Sequence, residues 1–219
     1  MREPIQENNL DIEGRVTWVM APDYDAASRA TVQFTVAESG RFSARPNFYS
    51  KREGRDGYLI LYTESGKGLL KYGGDEYELT PGSAVLINCH QRHEYKTFNE
   101  ENVKWTFCWI HIYGEIIYLY TQLMYRDSFT VFELGDRPLG LIEDIFKNLQ
   151  YITSSSLMLL SESVHKILTQ MIEASHRERS AHGHKPSAQK AQQNAVQYIK
   201  DNYWIADLSV DKVAKHAIS

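Results

Sequence analysis

The sequence predicts a small β-barrel followed by an α-helical hairpin, and three observations predict it. Between Gly57 and Tyr113 short apolar runs follow one another with almost no loop. Their separators are turn chemistry: Ser65-Gly66-Lys67-Gly68, Gly73-Gly74-Asp75 and Pro81-Gly82 supply positive or pre-set φ where hairpins need it. After Tyr113 the apolar period changes from about 2 to about 3.6. Such spacing suits a sandwich or a barrel rather than alternating β and α units, and the stretch reads as one wall of a barrel with a pocket.

Taken in order, Met1 to Gly14 is polar and sparsely apolar, which predicts a mobile arm, and Val16 to Met20 predicts a strand, so residues 1–20 form the N-terminal arm. The barrel spans 21–113. Ala21-Pro22-Asp23 is a break, and Thr31 to Val36 alternates as a strand should. From Glu38 to Asp56 the chain is rich in Gly, Pro, Ser and Arg and reads as a loop carrying Arg41, Arg45, Lys51, Arg52 and Arg55. That cluster is either a solvated loop or a source of one cation, from Lys51, Arg52 or Arg55, that reaches over the barrel mouth to a ligand.

Strands follow at Tyr58–Thr63, Leu69–Tyr72, Glu76–Leu79, Ala84–Ile87, Glu94–Phe98 and Val103–Tyr113, with Asn99 to Asn102 as a turn. Residues 114–175 are helical. Ile116, Ile117, Tyr120, Leu123 and Met124 lie on one face, and a second helix begins at Asp136-Arg137-Pro138. Thr153 to Ser156 offers N-caps for a third, in which Leu157, Leu160, Val164, Ile167 and Met171 occupy a and d positions. This stripe serves either the chain's own core or a partner helix, and the hairpin is a candidate dimerisation element. Residues 176–187 read as a linker. Residues 188–219 supply one helix and, after the N-cap Ser209, a second. Two short helices bury too little to make a domain, which predicts a longer protein.

Composition narrows the function. A net charge of -4 argues against wholesale nucleic-acid binding by these residues. Two cysteines, Cys89 and Cys108, in apolar surroundings predict reduced thiols in a cytoplasmic protein. An apolar leader and an apolar run long enough to cross a bilayer are both missing, so no membrane partner is expected.

Gly57 to Tyr62 with Gly66-Lys67-Gly68, then Tyr77 to Ser83, then His93-Glu94-Tyr95, resemble the sensor domain of AraC-type transcription regulators. Tyr198 to Tyr203, followed by Leu208 to Ala214, resembles the opening of that family's C-terminal helix-turn-helix domain. The resemblance implies a cupin-type barrel (a double-stranded β-helix, jelly-roll-like) that binds a small effector, a helical hairpin that forms a homodimer, and an incomplete α-helical DNA-binding domain. It also implies that DNA is bound only through the full-length C-terminal domain, since the recognition helix would follow Ser219. Ligand binding would then act on the arm or on the hairpin.

Alternation puts Trp105, Phe107, Trp109 and His111 on one face of the last long strand, an aromatic face that is either core or ligand wall. In the family, a sugar-stacking tryptophan falls on Trp109 and a ligand-contacting tyrosine on Tyr95, whereas Phe107 replaces a polar histidine. The resemblance therefore implies a carbohydrate-like effector met by Tyr95 and Trp109, with Phe107 beside them; Lys51 and Arg52 of the basic run are candidate cationic partners, and His93 is either a polar partner or a structural residue whose ring hydrogen-bonds at the strand start. The alternative is a small metal-dependent cupin enzyme, an isomerase or oxygenase, using His90, His93 and His111. Against it, Tyr58 to Gly68 holds no histidine where a cupin metal site needs a His-x-His pair. No cofactor and no catalytic residue is expected, because Cys89 and His90 are neighbours on a chain, not a positioned dyad.

Overall fold

A computed structural model describes residues 5–21, 30–98, 103–125, 129–181, 188–202 and 209–217. The expected turn at Asn99 to Asn102, the part of the expected linker at 182–187, and Tyr203 to Leu208 lie outside these residues. The chain divides into two compact units, residues 1–175 and 176–219.

Among the described residues the first unit holds eleven strands: β1 (Ile5–Asn9), β2 (Ile12–Met20), β3 (Thr35–Ala44), β4 (Tyr49–Glu53), β5 (Tyr58–Gly66), β6 (Gly68–Tyr72), β7 (Asp75–Leu79), β8 (Ser83–Asn88), β9 (His93–Thr97), β10 (Trp105–Tyr113) and β11 (Phe132–Glu133). They form two sheets, in the orders β1-β4-β9-β6-β7 and β11-β8-β5-β10-β3-β2, with every pairing antiparallel. Neither sheet closes on itself. The β-barrel, cupin or double-stranded β-helix, is thereby corrected to two open sheets packed face to face. The physical reason lies at the ends of the strand orders. β11 is only two residues long and pairs with β8 at Ala84 and Ser83 alone, while β1 and β7 find no second neighbour among the described residues. The stretch from Gly57 to Tyr113 is not one wall either, because β5, β8 and β10 lie in one sheet and β6, β7 and β9 in the other.

Two further segments differ from the sequence reading. Ile5 to Asn9 of the expected arm pairs with β4. The expected loop at 38–56 is largely strand, in β3 and β4.

Among the described residues, three helices complete the unit: α1 (Ile117–Met124), α2 (Leu139–Leu149) and the first part of α3 (Ser154–Ala181). α3 opens on a reciprocal cap, in which Ser156 N–H donates to Thr153 Oγ1 at 3.1 Å and Thr153 N–H donates to Ser156 Oγ at 2.6 Å. Between the sheets lies one apolar cluster, with Phe42, Leu61, Leu70, Val85, Tyr95, Trp105 and Phe107 among its members. The other lies between the outer face of the six-stranded sheet and the helices, joining Ile60, Tyr62, Leu86, Cys108, Ile110 and Ile112 to Ile142, Ile145, Phe146, Val164, Ile167 and Met171. The exposed edge of β8 is closed by a tyrosine: Tyr125 Oη donates to Leu86 O at 3.1 Å and accepts from Leu86 N–H at 3.2 Å.

The expected dimer seam is spent in this second cluster. Leu157, Leu160, Val164, Ile167 and Met171 are all buried within the chain's own core, so a partner helix would have to use another face of α3. In the second unit, α4 (Ala188–Asn202) and α5 (Val210–Ala217) are joined by a stack of Tyr198 on His216 with ring centroids 3.9 Å apart, and Ser209 Oγ accepts Lys212 N–H at 3.4 Å. No helix among the described residues is long and apolar enough to cross a membrane.

Truncating Ile167 to Ala is expected to lower stability by about 2–5 kcal/mol in urea unfolding. A seam used by a partner instead would show, in light scattering, a loss of dimer mass with the stability of the monomer unchanged.

Candidate functional site

A cavity of about 270 Å³ opens between the inner faces of the two sheets. Its aromatic wall is Phe42 from β3, Phe48, Tyr95 from β9 and Trp109 from β10, and Trp18 of β2 stands at the lip. Polar groups come from Gln6 and Asn8 of β1, Glu38 of β3, Ser50 and Arg52 of β4, and Arg55, with Leu10 beside them. Larger hollows of about 620 Å³ along α2 and α3 and about 570 Å³ beside Gly114 lie outside the two sheets. The smaller cavity is the better candidate because aromatic faces and convergent charges meet in it.

The local sequence explains the aromatic wall. Gly40 on β3 leaves room for the indole of Trp109, since a Cβ at Gly40 would lie 2.6 Å from two of its ring atoms. Ser39 Oγ donates to Trp109 O at 2.9 Å and fixes the same strand pair. Trp18 and Phe42 then meet Trp109 edge-on, with centroids 5.6 Å and 5.7 Å away.

Beside this wall sits a polar group of four, three of them charged. Glu38 accepts from Arg55 Nη2 and, at 3.1 Å, from Trp18 Nε1. His111 Nε2 faces Arg52 Nη1 and Arg55 Nη1, each at 3.3 Å. A guanidinium can only donate, so this nitrogen accepts from both and the ring is neutral, with its proton on Nδ1, 3.8 Å from Cys89 Sγ. Burial first, and then the two arginines, hold the His111 pKa well below 6.5. Glu38 Oε1 also lies 4.0 Å from the ring, but a neutral imidazole forms no ion pair. Burial pushes the Cys89 thiol up to about 12, so it is a buried neutral thiol rather than a nucleophile.

Of the residues the sequence singled out, Tyr95, Trp109 and Arg52 line the cavity together. Phe107 lies behind the wall, stacked on Trp105 at 3.9 Å and edge-on to Phe42 and Tyr95. Lys51 points to the opposite face of β4, where its Nζ lies 3.6 Å from Glu7 Oε2. His93 is buried on the inner side but outside the cavity wall, and its Nδ1–H donates to Gln91 O at 2.8 Å. Arg41 and Arg45, from the same basic run, are bound elsewhere, Arg41 to Glu64 at 2.8 Å and to Glu143, Arg45 to Glu13 at 3.3 Å. Trp18, Glu38, Phe42, Phe48 and Ser50 were missed. Their signal was the faint alternation of Gly40, Phe42 and Ala44, hidden within a stretch whose composition reads as loop. His90, His93 and His111 do not converge, and no group of three His, Cys, Asp or Glu that could hold a metal occurs among the described residues.

The sequence pattern of the AraC-like ligand binding domain matches residues 36–190, more than half of the chain. The chain belongs to that family. As an AraC-like ligand-binding domain it is a binding module rather than an enzyme. No curated protein matches the chain. Among solved structures, the AraC-like transcriptional activator CuxR is 13% identical with a TM-score of 0.42, over 99% of this chain and 85% of that one. A Cupin_2 domain of an XRE family transcriptional regulator from Enterobacter cloacae is 13% identical with a TM-score of 0.33, over 52% of this chain and 100% of that one. A cupin protein from Bacteroides fragilis is 18% identical with a TM-score of 0.33, over 37% and 69%. Membership of the AraC-like family rests on the sequence match and not on these structures.

Because the unfolded chain takes up a proton on His111 near pH 6.5 while the folded ring stays neutral, the contribution of this residue to stability is full above pH 6.5 and falls as the pH drops below it. His93, also depressed by burial, adds in the same sense. The thermal midpoint is expected to decline below pH 6.5 in the native protein, and less steeply in His111→Gln. An equal slope in both would remove His111 from the account.

Proposed function

We propose that this chain is the effector-sensing portion of a cytoplasmic transcription regulator of the AraC type, and that its effector is a monosaccharide-like molecule bound between the two sheets. The observation that carries the reading is the cavity itself. An indole and three other aromatic rings stand beside Ser50, Asn8, Glu38 and two arginines in a space of about 270 Å³. Aromatic faces stack on the C–H face of a sugar ring, and the polar rim takes its hydroxyls. The volume sits just below the ~300–1,000 Å³ usual for small-molecule pockets, which suits one ring rather than two.

In this reading α4 and α5 belong to the start of a helix-turn-helix domain, and DNA is bound through the complete domain of the full-length protein. Two copies would act together as a homodimer, using a surface other than the buried seam of α3. Gln6, Asn8 and Leu10 put the N-terminal segment in contact with whatever fills the cavity, so that occupancy and the placement of this segment are coupled. The metal-dependent cupin enzyme is the less favoured reading, because family membership points to ligand binding.

A thermal-shift screen against monosaccharides, with and without divalent metal ions, tests the proposal. A sugar-selective rise in the midpoint is expected, and Trp109→Ala is expected to weaken the response by about tenfold or more in sugar concentration. A rise with metal ions alone would contradict it.

A further inference from the structure

Three charged side chains line the cavity: Glu38, Arg52 and Arg55. Glu38 is fully engaged, since it accepts from both Arg55 and Trp18. Arg52 is in a different position. Its Nη1 meets only the shared, neutral Nε2 of His111, at 3.3 Å, and its Nε is shut off from solvent with no hydrogen-bond partner among the described residues. No ion pair to Arg52 occurs among the described residues, whereas Arg55 has Glu38. A second N–H in the same wall shares this state: Trp109 Nε1 is buried and has no partner among the described residues. Buried donors without acceptors are costly, and a cation without a counter-charge more so. The cavity lining therefore carries one positive charge in excess.

We propose that the effector is a sugar acid, a uronate of monosaccharide size, whose carboxylate pairs with the Arg52 guanidinium while its ring lies against the Trp109 wall. This deepens the sensor reading above and rests on it. Three features select a carboxylate. Arg52 lines the cavity with no carboxylate partner among the described residues, and a guanidinium is the cation whose planar fork matches a carboxylate. One unit of excess charge is matched by a monoanion and exceeded by a phosphate dianion. The cavity of about 270 Å³ leaves room for a single ring bearing the acid group, and a neutral sugar in the same place would exclude water from Arg52 without compensating it.

Calorimetric titration of the native protein near neutral pH tests this with seven probes: galacturonate, glucuronate, the methyl ester of each, benzoate, and galactose and glucose as the neutral parents. One uronate is expected to bind at least about tenfold more tightly than both its methyl ester and its parent sugar. Arg52→Gln is expected to bring the uronate to the level of the neutral sugar, and Arg52→Lys to recover part of the preference, since it keeps the charge and loses the fork. The ester comparison needs no variant, so a folding defect in Arg52→Gln would not obscure the result. Equal affinity for uronate, ester and parent sugar would overturn the acid assignment and leave the sugar reading standing. Tighter binding of benzoate than of either uronate would overturn the sugar reading. Binding by none of the probes would overturn both.

Discussion

Strand β10 is hydrogen-bonded on both of its edges, to β3 and to β5, and this constraint decides what each of its side chains can do. With both edges committed to the ladder, successive side chains project alternately to opposite faces of the sheet. Trp105, Phe107 and Trp109 enter the layer between the sheets, and Cys108, Ile110 and Ile112 enter the layer beneath the helices. One strand thereby belongs to the wall of the cavity and to the seat of α2 and α3. Cys108 and Ile110, the immediate neighbours of Trp109 and next to it on the other face, belong to the helix-side cluster. On that side Cys108 Sγ donates to Glu64 at 3.0 Å, and Glu64 and Glu143 of α2 are bridged by Arg41.

The polar chemistry of the cavity follows from the same arrangement. Buried charge is tolerated where it is paired, and Glu38, Arg55 and Trp18 satisfy one another. His111, next but one to Trp109 on β10, is placed by alternation where both arginines can reach its ring. Its neutral state is imposed by these neighbours and by burial rather than chosen by the pH of the surroundings. A neutral acceptor flanked by two fixed cations orients the guanidinium groups without cancelling their charge. The site is therefore cationic as built.

Much of this was legible in the sequence, for reasons of differing range. The strands from Tyr58 to Tyr113 are set by local chemistry, alternating or apolar runs between glycine-containing turns, and local chemistry is what a sequence displays. The helices of the first unit declared themselves by period. Tyr95, Trp109 and Arg52 were reached through family resemblance and alternation. The distribution of strands between two sheets depends on pairings between distant segments, such as β4 with β9 or β8 with β5, and no local pattern encodes it. Strand β3 was missed because its glycine, serines and arginine look like loop. In the structure each has a specific neighbour: Gly40 the Trp109 ring, Ser39 the Trp109 carbonyl, Arg41 the carboxylates of Glu64 and Glu143. The a and d stripe of α3 was read as apolar, and Leu160, Val164, Ile167 and Met171 of it are buried in the cluster shared with the six-stranded sheet and α2.

The most direct test of the account is the indole N–H resonance of each tryptophan, followed by NMR while a monosaccharide that binds is added. Trp109 Nε1 lacks an acceptor among the described residues, whereas Trp105 Nε1 already donates to Thr63 Oγ1 at 3.1 Å in the core. Occupation of the cavity, which the Trp109 ring lines, should shift the Trp109 resonance and leave that of Trp105 in place. A ligand that binds without moving the Trp109 resonance would show that the cavity between the sheets is not the binding site.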